Sequence, residues 1–122
     1  GGEKAKLNTI LSGDDIEKIQ ALVRAIPVTD NVIKYAVELV RKSRPADGDP
    51  LAKEYLSWGA GPRASQYLIL GAKAHAFSKG KYTPDIEDVQ AVAHWVMGHR
   101  IVVNYKGVAE GLSEAAIVDQ LL

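Results

Sequence analysis

The sequence predicts a small, mostly α-helical bundle of four to five helices with one short two-stranded pairing. Three observations carry that prediction. Apolar residues recur at three- and four-residue spacing in five segments, Pro, Gly and Asp clusters separate those segments, and only Leu56-Ser57-Trp58 and Ile101-Val102-Val103 read as strands. The first helix starts near Ser12-Gly13-Asp14-Asp15, carries Ile16, Ile19, Leu22, Val23 and Ile26, and stops at Pro27. Thr29 or Asp30 caps the second. Its apolar face is Val32, Ile33, Ala36, Val37, Leu39 and Val40, with Arg41, Lys42 and Arg44 at the negative end of its dipole. Pro45-Ala46-Asp47-Gly48-Asp49-Pro50 follows as a loop. The third helix is expected from Pro62 to about Ser78. It is apolar on most sides, which marks it as central. Gly71 in its middle costs about 1 kcal/mol against alanine, so a close helix crossing is expected there. Gly80 fits a helix stop. The fourth helix is capped by Thr83 with Pro84, or by Asp85 with Asp88, and turns Ile86, Val89, Val92, Ala93 and Val96 inward. Ile101-Val102-Val103 can pair with Leu56-Ser57-Trp58. A last helix runs from Ser113 to the end, with Ile117, Val118 and Leu121 apolar.

Size and composition narrow the function classes. At 122 residues the chain reads as one domain, residues 3–122, with Gly1-Gly2 as a cloning remnant and Leu121-Leu122 as an apolar finish that looks cut. Fifteen basic residues balance fifteen acidic ones, which argues against a general nucleic-acid or membrane-surface binder. With no cysteine there is no disulfide framework, thiolate nucleophile or cysteine zinc site, and a cytoplasmic home is expected. No apolar run approaches a membrane span, and no signal peptide is read.

The most informative stretch is Gly59-Ala60-Gly61-Pro62-Arg63-Ala64-Ser65. It reads as a tight turn entering a helix, with Gly61 at the cap and Pro62 at the first helical position. Arg63 then falls in the first turn, beside the positive end of the dipole. That is the wrong sign for stability, costing about 0.3–1 kcal/mol unless something compensates. An anion would compensate, and phosphate is a common guest of helix N-termini. The alternative is an exposed arginine bonded to a nearby carboxylate.

Other chemistries find little support. The P-loop pattern is absent, and Gly80-Lys81 is followed by Tyr82, so this chain alone is not expected to hydrolyse ATP. His94 and His99 are five apart, about 140° around a helix. His75 lacks a ligand-spaced partner, so a satisfied histidine is the simpler reading and no metal site is expected. Asp47 and Asp49 flank Gly48 without the rest of a calcium loop. Ser57, Ser65 and Ser78 lack a nucleophile motif, and Arg41-Lys42-Ser43-Arg44 reads as a solvated helix end.

Over nearly its whole length the chain resembles the C-terminal lid of the MoxR-like AAA+ ATPases. That lid carries a G-A-S-P-R-A turn, matched here by Gly59-Ala60-Gly61-Pro62-Arg63-Ala64, with Gly61 replacing the serine. Leu39-Val40-Arg41-Lys42-Ser43-Arg44, Ala72-Lys73-Ala74, Gly80-Lys81, Asp88-Val89 and His99-Arg100-Ile101 are similar to family segments in order and spacing. The family's threonine-proline helix start is shifted by two residues near Thr83-Pro84.

The resemblance implies that Arg63 is the sensor 2 arginine, reaching the terminal phosphate of ATP on an adjoining core domain. Gly61, Pro62 and Ala64 would shape the turn and approach the nucleotide by backbone. It further implies Mg2+ held by that core, a homo-oligomeric ring whose subunits contact the lid, and a chaperone-like or metal-cofactor-insertion task on a client protein. His99 and Arg100 are expected to be a helix-end structural pair or a subunit contact. The rival readings are a stand-alone helical protein-interaction module without nucleotide, and a DNA-binding helical domain, which the neutral charge disfavours.

Overall fold

The computed structural model describes residues 12–122; the expected remnant Gly1-Gly2 lies outside the described residues. The elements are α1 Gly13–Ala25, α2 Asp30–Lys42, α3 Pro50–Tyr55, β1 Leu56–Trp58, α4 Ala64–Ser78, α5 Ile86–Met97, β2 Val102–Val103, α6 Tyr105–Ala109 and α7 Glu114–Leu121. The five longer helices are those the sequence predicts. Among the described residues two short ones, α3 and α6, are additional. Pro50 was expected in a loop but opens α3, because Asp49 caps it through the Leu51 N–H at 2.9 Å and a proline is tolerated in a first helical turn. α6 escapes a periodicity reading because five residues hold too little pattern.

Helix α4 is the hub. It packs along α5, with α2 and α1 against its other sides, while α7 closes on α5. Ala64, Leu68, Ala72 and Ala76 form its buried face, all small except Leu68, so neighbouring backbones approach closely. Gly71 marks the crossing with α5: a Cβ there would lie 3.1 Å from a Val92 methyl. Leu39, Val89, Met97, Ile117, Val118 and Leu121 fill the core between the layers. The pairing of β1 with β2 is antiparallel, Leu56 opposite Val103 and Trp58 opposite Val102, with an irregularity between.

Helix ends follow local chemistry. Ser12 and Asp15 form a capping box on α1, and Asp85 and Asp88 do so on α5. Of the two caps the sequence offered for α5, the structure takes the second. Thr83 instead ties the loop before α5 to the end of α1 by donating to the Pro27 carbonyl at 2.8 Å. Gly80, at φ 72, ends α4 in a Schellman motif, with Lys81 N–H on the Ala76 carbonyl and Gly80 N–H on that of Phe77.

Three expectations are corrected here. Helix α4 begins at Ala64 rather than Pro62. Gly61 lies in the left-handed region at φ 81, so it is a turn residue and not the cap, and Pro62 stands outside the helix. Arg63 occupies the capping position with helical angles rather than the first turn. Second, α4, apolar on most sides and expected to be central, is not buried on all of those sides, since Tyr67, Leu70 and Phe77 are exposed. Third, α1 shows helical periodicity but buries none of its residues fully.

Candidate functional site

The turn that presents Arg63 is anchored from α2. Ser43, completely buried just past the end of α2, donates its hydroxyl to the Val40 carbonyl at 2.6 Å and accepts the Ala60 N–H at 3.0 Å. Gly59 lies so close to this corner that a Cβ would sit 2.6 Å from the Ser43 carbonyl oxygen. The chain leaves β1, passes this fixed point at Ala60, and reverses at Gly61. The Ala64 N–H then bonds the Gly61 carbonyl at 3.1 Å, closing a turn whose central residues are Pro62 and Arg63. Sequence reasoning assigned Ser43 to a solvated helix end. Its hydroxyl is the missed determinant of where the turn stands.

Arg63 is exposed, and among the described residues no carboxylate or carbonyl pairs with its guanidinium. No carboxylate of the described residues supports the carboxylate-bonded alternative. In the first turn of α4 the N–H groups of Gln66 and Tyr67 reach the Arg63 carbonyl at 3.1 and 3.3 Å. No backbone carbonyl of the described residues closes on the Ser65 N–H, while the Ser65 hydroxyl donates to the Pro62 carbonyl. Gly61, Pro62 and Arg63 all face solvent, whereas Ala64 is buried and seats the helix start. The predicted site residues are thus contiguous in space as in sequence. Ala64 can contribute only through its backbone, and its N–H already serves the turn. Chemically, the arrangement offers a solvent-facing guanidinium and, among the described residues, the Arg63 and Ser65 N–H groups without a backbone acceptor at a helix's positive end, donors suited to an anion.

The opposite end of α4 holds a second polar cluster, which is closed. Asp88, 1% exposed, accepts from Lys81 Nζ at 2.6 Å and the Asp85 N–H at 2.7 Å, and its other oxygen lies 2.6 Å from His75 Nδ1. Burial alone would raise the Asp88 carboxyl. Lys81, the Asp85 N–H and His75 outweigh it and hold the group below the usual carboxylate value. Asp88, with Asp85 and Glu87 beside it, raises Lys81 above its ordinary value. The carboxylates of Asp85, Glu87 and Asp88 lie within 4.8 Å of one another, but the cation they hold is the Lys81 ammonium, at 3.0, 3.1 and 2.6 Å.

Of the remaining candidates, His94, Arg100, Asp49 and Asp47 have structural partners, while no hydrogen bond or ion pair joins His99 to another described residue. His94 Nε2 lies 2.7 Å from Asp119 and links α5 to α7. Arg100 stacks over the Tyr67 ring at 4.5 Å and donates to the Val96 carbonyl at 2.6 Å, finishing α5. Asp49 caps α3, and Asp47 lies 3.7 Å from Arg44.

Comparison with known proteins places this geometry in context. Residues 49–121 match the AAA lid domain family. The chain is 29% identical over 93% of its length to "Chaperone MoxR1" of Mycobacterium tuberculosis, covering 30% of that protein. It is 26% identical over 95% of its length to "Uncharacterized protein YeaC" of Bacillus subtilis, covering 34% of it. A crystal structure of "a putative ATPase" from Cytophaga hutchinsonii superposes with a TM-score of 0.84 at 33% identity, over 92% of this chain and 34% of that one. The chain therefore spans about a third of the length of the relatives it matches.

Proposed function

From the premise that this chain belongs to the AAA lid domain family, as the lid of a MoxR-like AAA+ ATPase, we propose that it supplies Arg63 as the sensor 2 arginine of its parent. The observation that carries this reading is the state of Arg63: exposed, without a carboxylate among the described residues, and fixed at the start of α4 by a turn pinned to buried Ser43. ATP would lie on a core domain outside this chain, with Mg2+ held there, and residues 3–122 would act as one lid. The Arg63 guanidinium would donate to oxygens of the terminal phosphate and offset charge developing there during transfer. Gly61 and Pro62 would let the backbone approach the nucleotide closely, with Ala64 holding the helix start. Because the turn is joined to α2 and to α4, a pull on Arg63 would be passed to the whole bundle, coupling hydrolysis to lid rotation.

The chain itself has no P-loop and is inactive alone in this reading. The parent would be a cytoplasmic ATPase assembled as a homo-oligomeric ring, its lids touching their own core domain and a neighbouring subunit, with a chaperone-like or metal-cofactor-insertion task on a client protein. Among the described residues no helix is long and apolar enough to cross a membrane. Arginine side-chain NMR of the full-length parent tests the contact. A non-hydrolysable ATP analogue should shift the Arg63 Nε–H resonance and ADP should not. Equal responses to both nucleotides would remove Arg63 from the terminal phosphate.

A further inference from the structure

A second surface of the lid is unaccounted for by nucleotide chemistry. The outward face of α4 carries Tyr67, Leu70, Ala74 and Phe77, at helical spacing on the side away from its buried alanines. Between α4 and the end of α5 it opens a cavity of about 520 Å³, walled by Tyr67, Leu70, Trp95 and Arg100. Between α4 and α1 it opens another of about 230 Å³, walled by Ile19, Val23 and Arg24. Leu70 and Ala74 belong to both, so the two form one trough across the α4 face. Trp95 stands 76% exposed on one bank and Leu22 is 60% exposed on α1. Apolar exposure this continuous ordinarily marks an interaction surface.

Charge and backbone chemistry identify the occupant. Among the described residues, the charged ones lining the trough are Arg24 and Arg100, with His99 beside Arg100, and no carboxylate lines either cavity. In a chain with equal numbers of acidic and basic residues, that one-sided lining favours a partner carrying carboxylates. The banks are helices whose backbone groups are spent internally, so no strand edge is offered to an extended peptide. An occupant must satisfy its own backbone, as a helix does.

We propose that this trough docks an amphipathic helix of a partner protein, its apolar side chains seated beside Leu70 and Trp95 and its flanking carboxylates meeting Arg24 and Arg100. The site is distinct from the Arg63 turn and does not depend on the role of Arg63. Two synthetic helical peptides with leucines at i, i+4 and i+7 test it, one flanked by glutamates and one by lysines, titrated into the chain with amide and indole N–H shifts as readout. The glutamate peptide should shift Leu70, Ala74 and the Trp95 indole, and bind at least about ten-fold more tightly than the lysine peptide, about 1.4 kcal/mol. Trp95→Ala and Arg24→Glu, both exposed and outside the core, should each weaken it while leaving the remaining spectrum intact. Binding of neither peptide, equal binding of both, shifts elsewhere than the trough, or self-association of the chain through this face would each overturn the proposal.

Discussion

The two ends of α4 carry the same kinds of group and treat them in opposite ways. At the C-terminal end Lys81 is enclosed by Asp85, Glu87 and Asp88, with His75 on the far oxygen of Asp88. At the N-terminal end Arg63 faces solvent with no such partner among the described residues. A cation neutralised by its own chain serves the fold. A cation on a turn pinned by a buried hydroxyl, and without a partner among the described residues, is available to something outside the chain. The difference teaches how to separate structural charge from functional charge in a small domain: what matters is whether the positioning and the neutralisation come from the same molecule.

The closed end should be where substitution costs most. Asp88→Ala leaves Lys81 without its closest carboxylate and takes the bond from His75 and the cap from Asp85, so urea unfolding should show a loss of about 3 kcal/mol. A loss below about 1 kcal/mol would make that end no more structural than the other. The pH dependence has a definite sign. Because the folded-state pKa of Asp88 lies below its ordinary 3.8, its contribution is fully present above that value and fades as the pH falls through 3.8 toward the folded pKa. Asp88→Asn should flatten stability over that acid range, and an unchanged acid limb would assign it to other carboxylates.

Next comes the anchor of the open end. Ser43→Ala strands the buried Ala60 N–H and should cost about 1–2 kcal/mol in the same unfolding measurement. In the parent it should also lower ATP turnover more than ATP affinity, because the turn loses its fixed point while Arg63 itself remains. An effect on stability alone would reduce Ser43 to a packing residue. The smallest effect belongs to Arg63 itself: Arg63→Ala should leave the chain's stability within about 0.5 kcal/mol of wild type. A larger loss would mean the side chain has a structural partner after all, and the contrast between the two ends would fail.

Much of this was legible in the sequence, for identifiable reasons. The five longer helices show as 3.6-residue periodicity, and Gly80 stops one of them. The β1–β2 pairing follows from Leu56-Ser57-Trp58 and Ile101-Val102-Val103, the two short segments without that periodicity. The Arg63 turn stood out because glycine, proline and a cation before a helix conflict with dipole preference. Its detail did not, because the positive φ of Gly61, which moves the helix start to Ala64, is a backbone choice that a glycine permits without announcing. Ser43 and the His75–Asp88 pair escaped because each joins elements distant in sequence, thirteen residues apart for the histidine and seventeen for the serine. The exposed trough escaped for another reason: periodicity records that a face is apolar, not that this chain covers it.

ATP turnover by the full-length parent, measured for wild type and Arg63→Ala at saturating ATP, tests the central claim most directly. A fall of about ten-fold or more, a transition-state loss above about 1.4 kcal/mol, is expected, with stability unchanged. Turnover equal to wild type would contradict the assignment of Arg63 to the phosphate and return it to the solvated surface.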